Sequence, residues 1–337
     1  MRRGLPTILA VALAIGALGL WAWSFGANKD AGTQVETNQN PGPAATQPAG
    51  DGTVRVMTAN VRISEPDDGV NAWPNRRDFL VKTLLKQGPD LIGCQEVTPA
   101  QQAFMVKELA KWYSYYPRPG VGKVAGDDGS TTAKIFGAVN QSLASLNTLF
   151  YKTDRFDILD GEAGLVEPND LQRDPAENTF YTLAVLKDKV APAGADGTWI
   201  VVDTHLRHHD DFAVKCALAI RGKIGDMLRK HPLAKVVLMG DMNHDKQSKV
   251  YAALVGVAGA ADGVGELADS FDYSKKRPNE AWGNWHAFTG KSQRMWPTDL
   301  IFSSGVRSRG AEFVRDKDEK GHYPSDHFFV VTELVGK

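Results

Sequence analysis

Short apolar runs dominate residues 53–337 of this chain, and their length limits what it can fold into. Eight stand out: Val54–Val61, Asp90–Gln95, Leu146–Tyr151, Phe180–Leu186, Trp199–Thr204, Lys235–Met239, Asp299–Phe302 and Phe328–Glu333. Runs this short, bounded by turn-forming residues, read as strands rather than helices. Helical patterning is sparser and covers Asn75–Lys86, Ala100–Trp112, Phe212–Lys230 and Ser248–Val255. In the third of these, Val214, Leu218, Ile220, Ile224 and Leu228 recur at roughly helical spacing. Many strands and fewer helices predict an α/β (α+β) domain with two sheets packed face to face and helices outside. Gly120–Ala133 and Glu167–Asn178 read as loops.

Ahead of this region lies a different material. Arg2 and Arg3 precede an uncharged apolar run, Leu5–Phe25. At about 1.5 Å per helical residue the run just spans a bilayer of roughly 30 Å. Residues 1–27 are therefore expected to be a membrane anchor or a cleaved signal peptide, and both readings stand. Residues 28–52, rich in Gly, Ala, Pro, Gln, Asn and Thr, read as a disordered linker. The expectation is an exported, extracytoplasmic protein, membrane-anchored or secreted, with its catalytic domain at 53–337. The net charge of −1 excludes a molecule that captures nucleic acid by overall charge. Cys94 lies in a strand pattern and Cys216 in a helical one, so both read as buried free thiols.

The chemistry sits at the ends of the apolar runs. Asn60 comes late in the first and Glu96 closes the second. "VVDTHLRHH" supplies Asp203, His205, His208 and His209, and "VVLMGDMNHD" supplies Asp241 and Asn243. Asp299 opens the seventh run, and Ser325, Asp326 and His327 precede the last. Singly, each has an ordinary reading: Asp and Asn form turns, and a histidine can be satisfied in a core. Together they suggest convergence, because strand ends on one rim of a sheet meet in space. Carboxylates gathered there repel one another unless a cation is present. Several carboxylates and an amide, with no cysteine cluster, suit a hard cation such as Mg²⁺ or Mn²⁺. The histidines lack HExxH spacing, so a zinc-protease helix is not supported.

In this order, Asn60, Gln95-Glu96, Thr204-His205, Gly240–Asn243, Asp299 and Ser325–His327 resemble the endonuclease/exonuclease/phosphatase superfamily, the deoxyribonuclease-like metal-dependent phosphoesterases. The resemblance runs from about Val54 to Leu334. It extends to "HAFTG" at His286–Gly290 and "YPSDHFFV" at Tyr323–Val330. It departs in three places: Ser145 stands where an acidic residue is common, Phe180–Leu186 carries no arginine, and Leu300 follows Asp299 where tyrosine is preferred.

The resemblance implies a four-layer α/β/β/α sandwich of two mixed sheets with the site on one rim. It implies that Asn60, Glu96 and Asp326 hold Mg²⁺ or Mn²⁺, as one or two ions. His205, Asp241, Asn243, Asp299 and His327 would be catalytic. Asp241 would position or deprotonate the attacking water, Asn243 and His205 would hydrogen-bond the phosphoryl group, and Asp299 would orient His327. The base, Asp241 or His327, stays open. His286, Asn147 and His208 are the candidate substrate contacts. Trp282, Trp285 and Phe288 form an aromatic patch that either stacks a nucleobase or shields the site. Lys275–Arg277 offer a short basic cluster.

The expected function is divalent-metal-dependent hydrolysis of phosphodiester bonds by in-line water attack, as in an exported nuclease or phosphodiesterase. The alternatives are a phosphatase or sphingomyelinase-like phospholipase acting on a lipid or inositol head group, and a binding module with a decayed site. The expected partners are a phosphoester substrate and, through an uncleaved N-terminal segment, a membrane.

Overall fold

The strand expectation is met by two mixed sheets. The computed structural model describes residues 52–117, 123–124, 146–166, 179–257, 261–274 and 283–336. These belong to one compact unit, Asn40–Lys337. The anchor or signal segment, the linker up to residue 51, the loop at 167–178, Ser145, Trp282 and Lys275–Arg277 lie outside the described residues.

In chain order the strands are β1 (Val54–Asn60), β2 (Leu91–Val97), β3 (Tyr113–Tyr116), β4 (Lys123–Val124), β5 (Leu146–Lys152), β6 (Phe156–Leu165), β7 (Phe180–Asp188), β8 (Thr198–His205), β9 (Lys235–Asp241), β10 (Ala268–Asp269), β11 (Asp299–Ser304), β12 (Val306–Val314) and β13 (Phe329–Gly336). The helices are α1 (Trp73–Gln87), α2 (Pro99–Leu109), α3 (Asp210–Lys230) and α4 (Lys249–Val255). One sheet has six strands in the order β12-β13-β1-β2-β5-β3, and the other has seven in the order β10-β11-β9-β8-β7-β6-β4.

Strand alternation creates the layers, because successive side chains leave a strand on opposite faces. Val54 and Val56 of β1 face inward and meet Val201, Val237, Met239 and Ile301 of the second sheet. Met57 and Ala59 face outward and pack under α1 and α2 through Leu80, Leu84, Met105 and Leu109. On the second sheet, Ile200, Val202, Val236 and Leu238 face outward against Ala213, Cys216, Ile220 and Ile224 of α3 and Val250 and Leu254 of α4. The result is the four-layer α/β/β/α sandwich. Cys94 and Cys216 are buried and free, as expected. Leu218, counted with the apolar face of α3, is instead 54% exposed. No helix among the described residues is long and apolar enough to cross a membrane.

The strands that sequence reasoning missed share a cause. β12 reads "VRSRGAEFV" and β6 reads "FDILDGEAGL". Their charged positions face outward and both carry a bulge that breaks strict alternation. β3, β4, β10 and β12 are sheet edges, where short length and charge discourage further pairing. The loop expected over Gly120–Ala133 contains β4, which pairs with β6.

One rim is closed by a buried ionic network. Arg155 donates to Asp90 Oδ2 (2.9 Å), to the carbonyl of Thr53 (2.6 Å) and to both oxygens of Asp188 (3.3 and 3.0 Å). Lys152 reaches Asp90 Oδ1 at 3.0 Å. Asp90 and Lys152 adjoin strands of the first sheet, whereas Asp188 ends β7 of the second. The network therefore bridges the two sheets where β1 and β2 begin. The opposite rim is left to the polar strand ends.

Candidate active site

Topology explains the convergence. β1, β2, β8 and β9 end at one rim, while β11 runs antiparallel to β9 and β13 antiparallel to β1, so those two begin there. In the second sheet, His205 of β8, Asp241 of β9 and Asp299 of β11 sit in one cross-strand row. Asn60 pairs with Gln95 in the first sheet, with Glu96 one residue further on. Asp326 and His327 stand immediately before β13.

The glycine of the Gly-Asp-x-Asn segment is required by close approach. Gly240 has φ 145°, and a Cβ there would lie 1.8 Å from the carbonyl oxygen of Thr204 on β8. Only glycine lets β8 and β9 meet closely enough to set His205 beside Asp241. Beyond it, Asn243 takes φ 53°, and Glu96 and Arg62 take 61° and 58°. Left-handed backbone at non-glycine residues costs about 1–3 kcal/mol each and collects at functional sites.

Asn60 joins the two sheets. Its Nδ2 donates to Glu96 Oε1 (3.1 Å) and to Asp241 Oδ2 (3.0 Å), while its Oδ1 accepts from the Arg62 amide (3.0 Å). The other Glu96 oxygen accepts from the Ile63 amide at 2.8 Å. Two imidazoles approach Asp241 Oδ2: His205 Nε2 at 3.6 Å and His327 Nε2 at 3.9 Å. Asp241 Oδ1 accepts the Asn243 amide at 2.9 Å. Burial opposes ionisation of Asp241, yet His205, His327, the Asn243 amide and Asn60 outweigh it and hold the carboxyl below its ordinary range. Glu96 follows the same pattern: burial raises it, and His205, the Ile63 amide, Asn60 and His327 bring it below its ordinary value.

The carbonyl of Leu206 accepts Asn243 Nδ2 at 2.8 Å, which fixes the amide orientation. His205 Nε2 lies 2.9 Å from the same nitrogen. His327 Nδ1 lies 3.1 Å from Asp299 Oδ1 and 3.2 Å from Asn284 Nδ2. Asn284 is oriented by the Thr298 and Asp299 amides, which donate to its Oδ1. A protonated Nδ1 serves only the carboxylate, so the Asp299 bond is the effective one. Burial works against a charged His327, but Asp299, Asp241 and Asp326 push it up to about 10. Burial raises Asp299.

Asp326 Oδ2 accepts from Trp285 Nε1 (3.3 Å), and its carbonyl accepts the His286 and Ala287 amides. His208 is exposed on the rim, close enough for Asp241 and His205 to act on it electrostatically. Asn147 is buried, with Nδ2 donating to the carbonyls of Phe180 (2.8 Å) and Asp203 (3.4 Å). Its amide nitrogen ties β5 to β7 and β8 and is not free for a substrate, which corrects the expectation of direct contact. His286 requires the same correction. Its ring is fully buried, 4.1 Å from Phe328 and 4.6 Å from Tyr323 between centroids, and Nδ1 accepts the Gly290 amide. Burial lowers it to about 4.

The donor set fits a divalent cation. Asp241 and Asp299 lie with His327 so that their candidate atoms are within 4.8 Å of one another, and among the described residues Asp299 Oδ2 is buried without a hydrogen-bond partner. A protonated His327 has no lone pair to give, so the carboxylates are the ligands. This group differs from the expected Asn60, Glu96 and Asp326, although Asn60 links the two through Asp241. Oxygen-rich ligands of this kind suit hard cations. Asn284 and Arg76 were not picked out as site residues from sequence. Asn284 stands outside every apolar run, and a buried asparagine there has no periodic signature.

A family model described as "Endonuclease/Exonuclease/phosphatase family" matches residues 57–327. No curated protein sequence matches the chain. Among solved structures, a mannosyl-6-phosphatase of Bacteroides thetaiotaomicron is 23% identical, with a TM-score of 0.66 over 84% of this chain and 99% of that one. An endonuclease/exonuclease/phosphatase family protein of the same species is 22% identical, with a TM-score of 0.65 over 85% and 95%. The human Nocturnin catalytic domain is 17% identical, with a TM-score of 0.58 over 85% and 95%. At these identities the likeness is one of fold.

Proposed function

Because the chain belongs to the endonuclease/exonuclease/phosphatase family, whose members are hydrolases acting on phosphoester bonds, we propose that it is a divalent-metal-dependent phosphodiesterase that works by in-line attack of water. One observation carries the proposal: a single amide, Asn60, hydrogen-bonds Glu96 and Asp241 across the two sheets, with His205 and His327 facing the same Asp241 oxygen.

The residues divide the work by charge. Asp241, held ionised, orients the attacking water and accepts its proton. His327, held protonated by Asp299, presents positive charge to the phosphoryl oxygens as negative charge builds on them. Asn243 Nδ2, bonded to the Leu206 carbonyl and 2.9 Å from His205 Nε2, is not free for the phosphoryl group and instead positions the His205 ring, which faces that group. Glu96, Asn60 and Asp326, with Asp241 and Asp299 adjacent, would hold the cation. When bound, the cation supplies charge neutralisation at the phosphoryl and leaving oxygens. Arg294, exposed with its guanidinium 5.8 Å over the Trp285 ring, and exposed His208 line the approach and suit a phosphodiester chain. A second reading, a phosphomonoesterase on a sugar phosphate, is favoured by the similarity to the mannosyl-6-phosphatase. Export through residues 1–27 belongs to the same proposal, and fractionation of the producing cells tests it.

The deciding experiment offers DNA, RNA, a dispersed phospholipid, a nitrophenyl phosphodiester and a nitrophenyl phosphomonoester with Mg²⁺, Mn²⁺ or EDTA. Turnover of a diester is expected, abolished by EDTA and lowered at least about 100-fold by Asp241→Ala. Turnover of the monoester alone selects the second reading. Turnover indifferent to chelator contradicts both.

A further inference from the structure

Among the described residues, Arg76 is a buried arginine with no carboxylate within hydrogen-bonding distance. It is 3% exposed, and its hydrogen bonds to the described residues all go to backbone carbonyls. Nε donates to Asn71 (2.8 Å), Nη1 to Val61 (2.5 Å) and Pro324 (3.2 Å), and Nη2 to Arg62 (2.7 Å) and Ile63 (3.4 Å). A guanidinium has five N–H donors in a planar fork, and here that fork holds three chain segments at once. The cation also lies 5.2 Å from the centroid of the Trp73 ring and 5.8 Å from that of Phe288, on the loop after Trp285.

Two of these segments, at residues 61–63 and 324, build the cation side of the rim. Residues 61–63 follow Asn60, and their amides grip the site: Arg62 N–H donates to Asn60 Oδ1, and Ile63 N–H donates to Glu96 Oε2. A peptide whose carbonyl is pinned on one side presents its N–H on the other. With the carbonyls of residues 61–63 turned toward Arg76, the amides of Arg62 and Ile63 are free to face Asn60 and Glu96. Arg62 holds φ 58°, a conformation that needs such support. Pro324 precedes Ser325, whose hydroxyl donates to the Asn60 carbonyl at 2.7 Å, and Asp326 follows. Gln101 adds a second donor to the Arg62 carbonyl at 2.8 Å.

We infer that Arg76 is the positioning residue of the cation site: its guanidinium fixes the backbone of residues 61–63 and 324, and through it Asn60, Glu96 and Asp326. The inference rests on the phosphoesterase reading for its functional consequence, but not for its structural content. Lysine keeps the charge yet has three donors at one point, so it cannot span the same carbonyls.

The test uses the full chain and two readouts. Calorimetric titration with Mn²⁺ is expected to show binding about 10- to 100-fold weaker in both Arg76→Lys and Arg76→Met, as for other groups that orient ligands without touching the metal. In turnover, kcat falls while KM changes little. Hydrogen exchange of a peptide covering residues 58–66, without metal, is expected to be slow in the wild type and fast in Arg76→Lys. Wild-type Mn²⁺ affinity and exchange in a folded Arg76→Lys protein would overturn the inference. If neither variant folds, the wild type still decides: fast exchange over 61–63 that slows only when Mg²⁺ is added would mean the cation, not Arg76, orders the segment. A wild type that binds no Mn²⁺ sinks the phosphoesterase reading alone, because the exchange comparison still judges Arg76.

Discussion

Replacing Arg155 by methionine isolates what the ionic network at the far rim contributes. The substitution keeps much of the side-chain volume and removes every donor. Asp90 keeps two partners, Lys152 Nζ at 3.0 Å and the Arg55 amide at 2.8 Å. Among the described residues, the Asp188 carboxylate keeps only the Val190 amide at 3.1 Å and is left buried without a cation. The bond from Arg155 to the Thr53 carbonyl is also lost. Breaking a buried pair by deleting one partner costs about 3–5 kcal/mol, mostly because the stranded charge stays desolvated. At a urea slope of about 3 kcal/mol per molar, the unfolding midpoint should fall by roughly 1–1.7 M. β1 runs about 20 Å from this network to Asn60 at roughly 3.3 Å per residue, so kcat in native buffer should stay within about twofold of wild type. Adding Asp188→Asn removes the stranded charge and should restore at least about 1.5 kcal/mol. A single-variant loss below about 1 kcal/mol would place the network with ordinary surface pairs and refute the reasoning. So would a double variant no more stable than the single one.

His327 gives a pH signature. Its imidazole is raised by Asp299, so it stabilises the fold fully below 6.5 and loses that contribution as pH climbs toward about 10. In EDTA the urea midpoint should fall across that window, and Asp299→Asn should flatten the fall; an unchanged slope would separate the two residues. Gly93→Ala pushes a Cβ to 2.7 Å from Asp203 Oδ1 and 3.0 Å from Met239 Cε, between the two sheets. Overpacking there should cost about 1–3 kcal/mol by denaturant melt, and full stability would show that the sheets can separate to admit it. His286→Phe should leave KM within about threefold of wild type, because the ring packs on Phe328 instead of facing substrate; a tenfold rise would restore it as a contact.

Much of the architecture was readable because strand signals are local. Val54–Val61, Phe180–Leu186 and Lys235–Met239 are apolar and alternate little, as expected of strands buried on both faces, and each appears within a residue or two of its expected bounds. The helix expected at Asn75–Lys86 begins two residues earlier, at Trp73. β6 and β12 escaped because their charged positions and bulges erase the period of two. His286 was misjudged for a related reason: a histidine among aromatics looks the same in sequence whether its ring faces a cleft or Phe328.

By itself the sequence determined which polar groups stand at the strand ends and in what order. Both properties follow from the local alternation of side chains along each run. Only the tertiary structure decided which of them touch: that Asn60 reaches Asp241 on the other sheet, that Asn284 accepts the Asp299 amide, and that Arg76 secures the backbone behind Glu96. Those pairings depend on strand register and on how two twisted sheets stack, and no short window of residues encodes either.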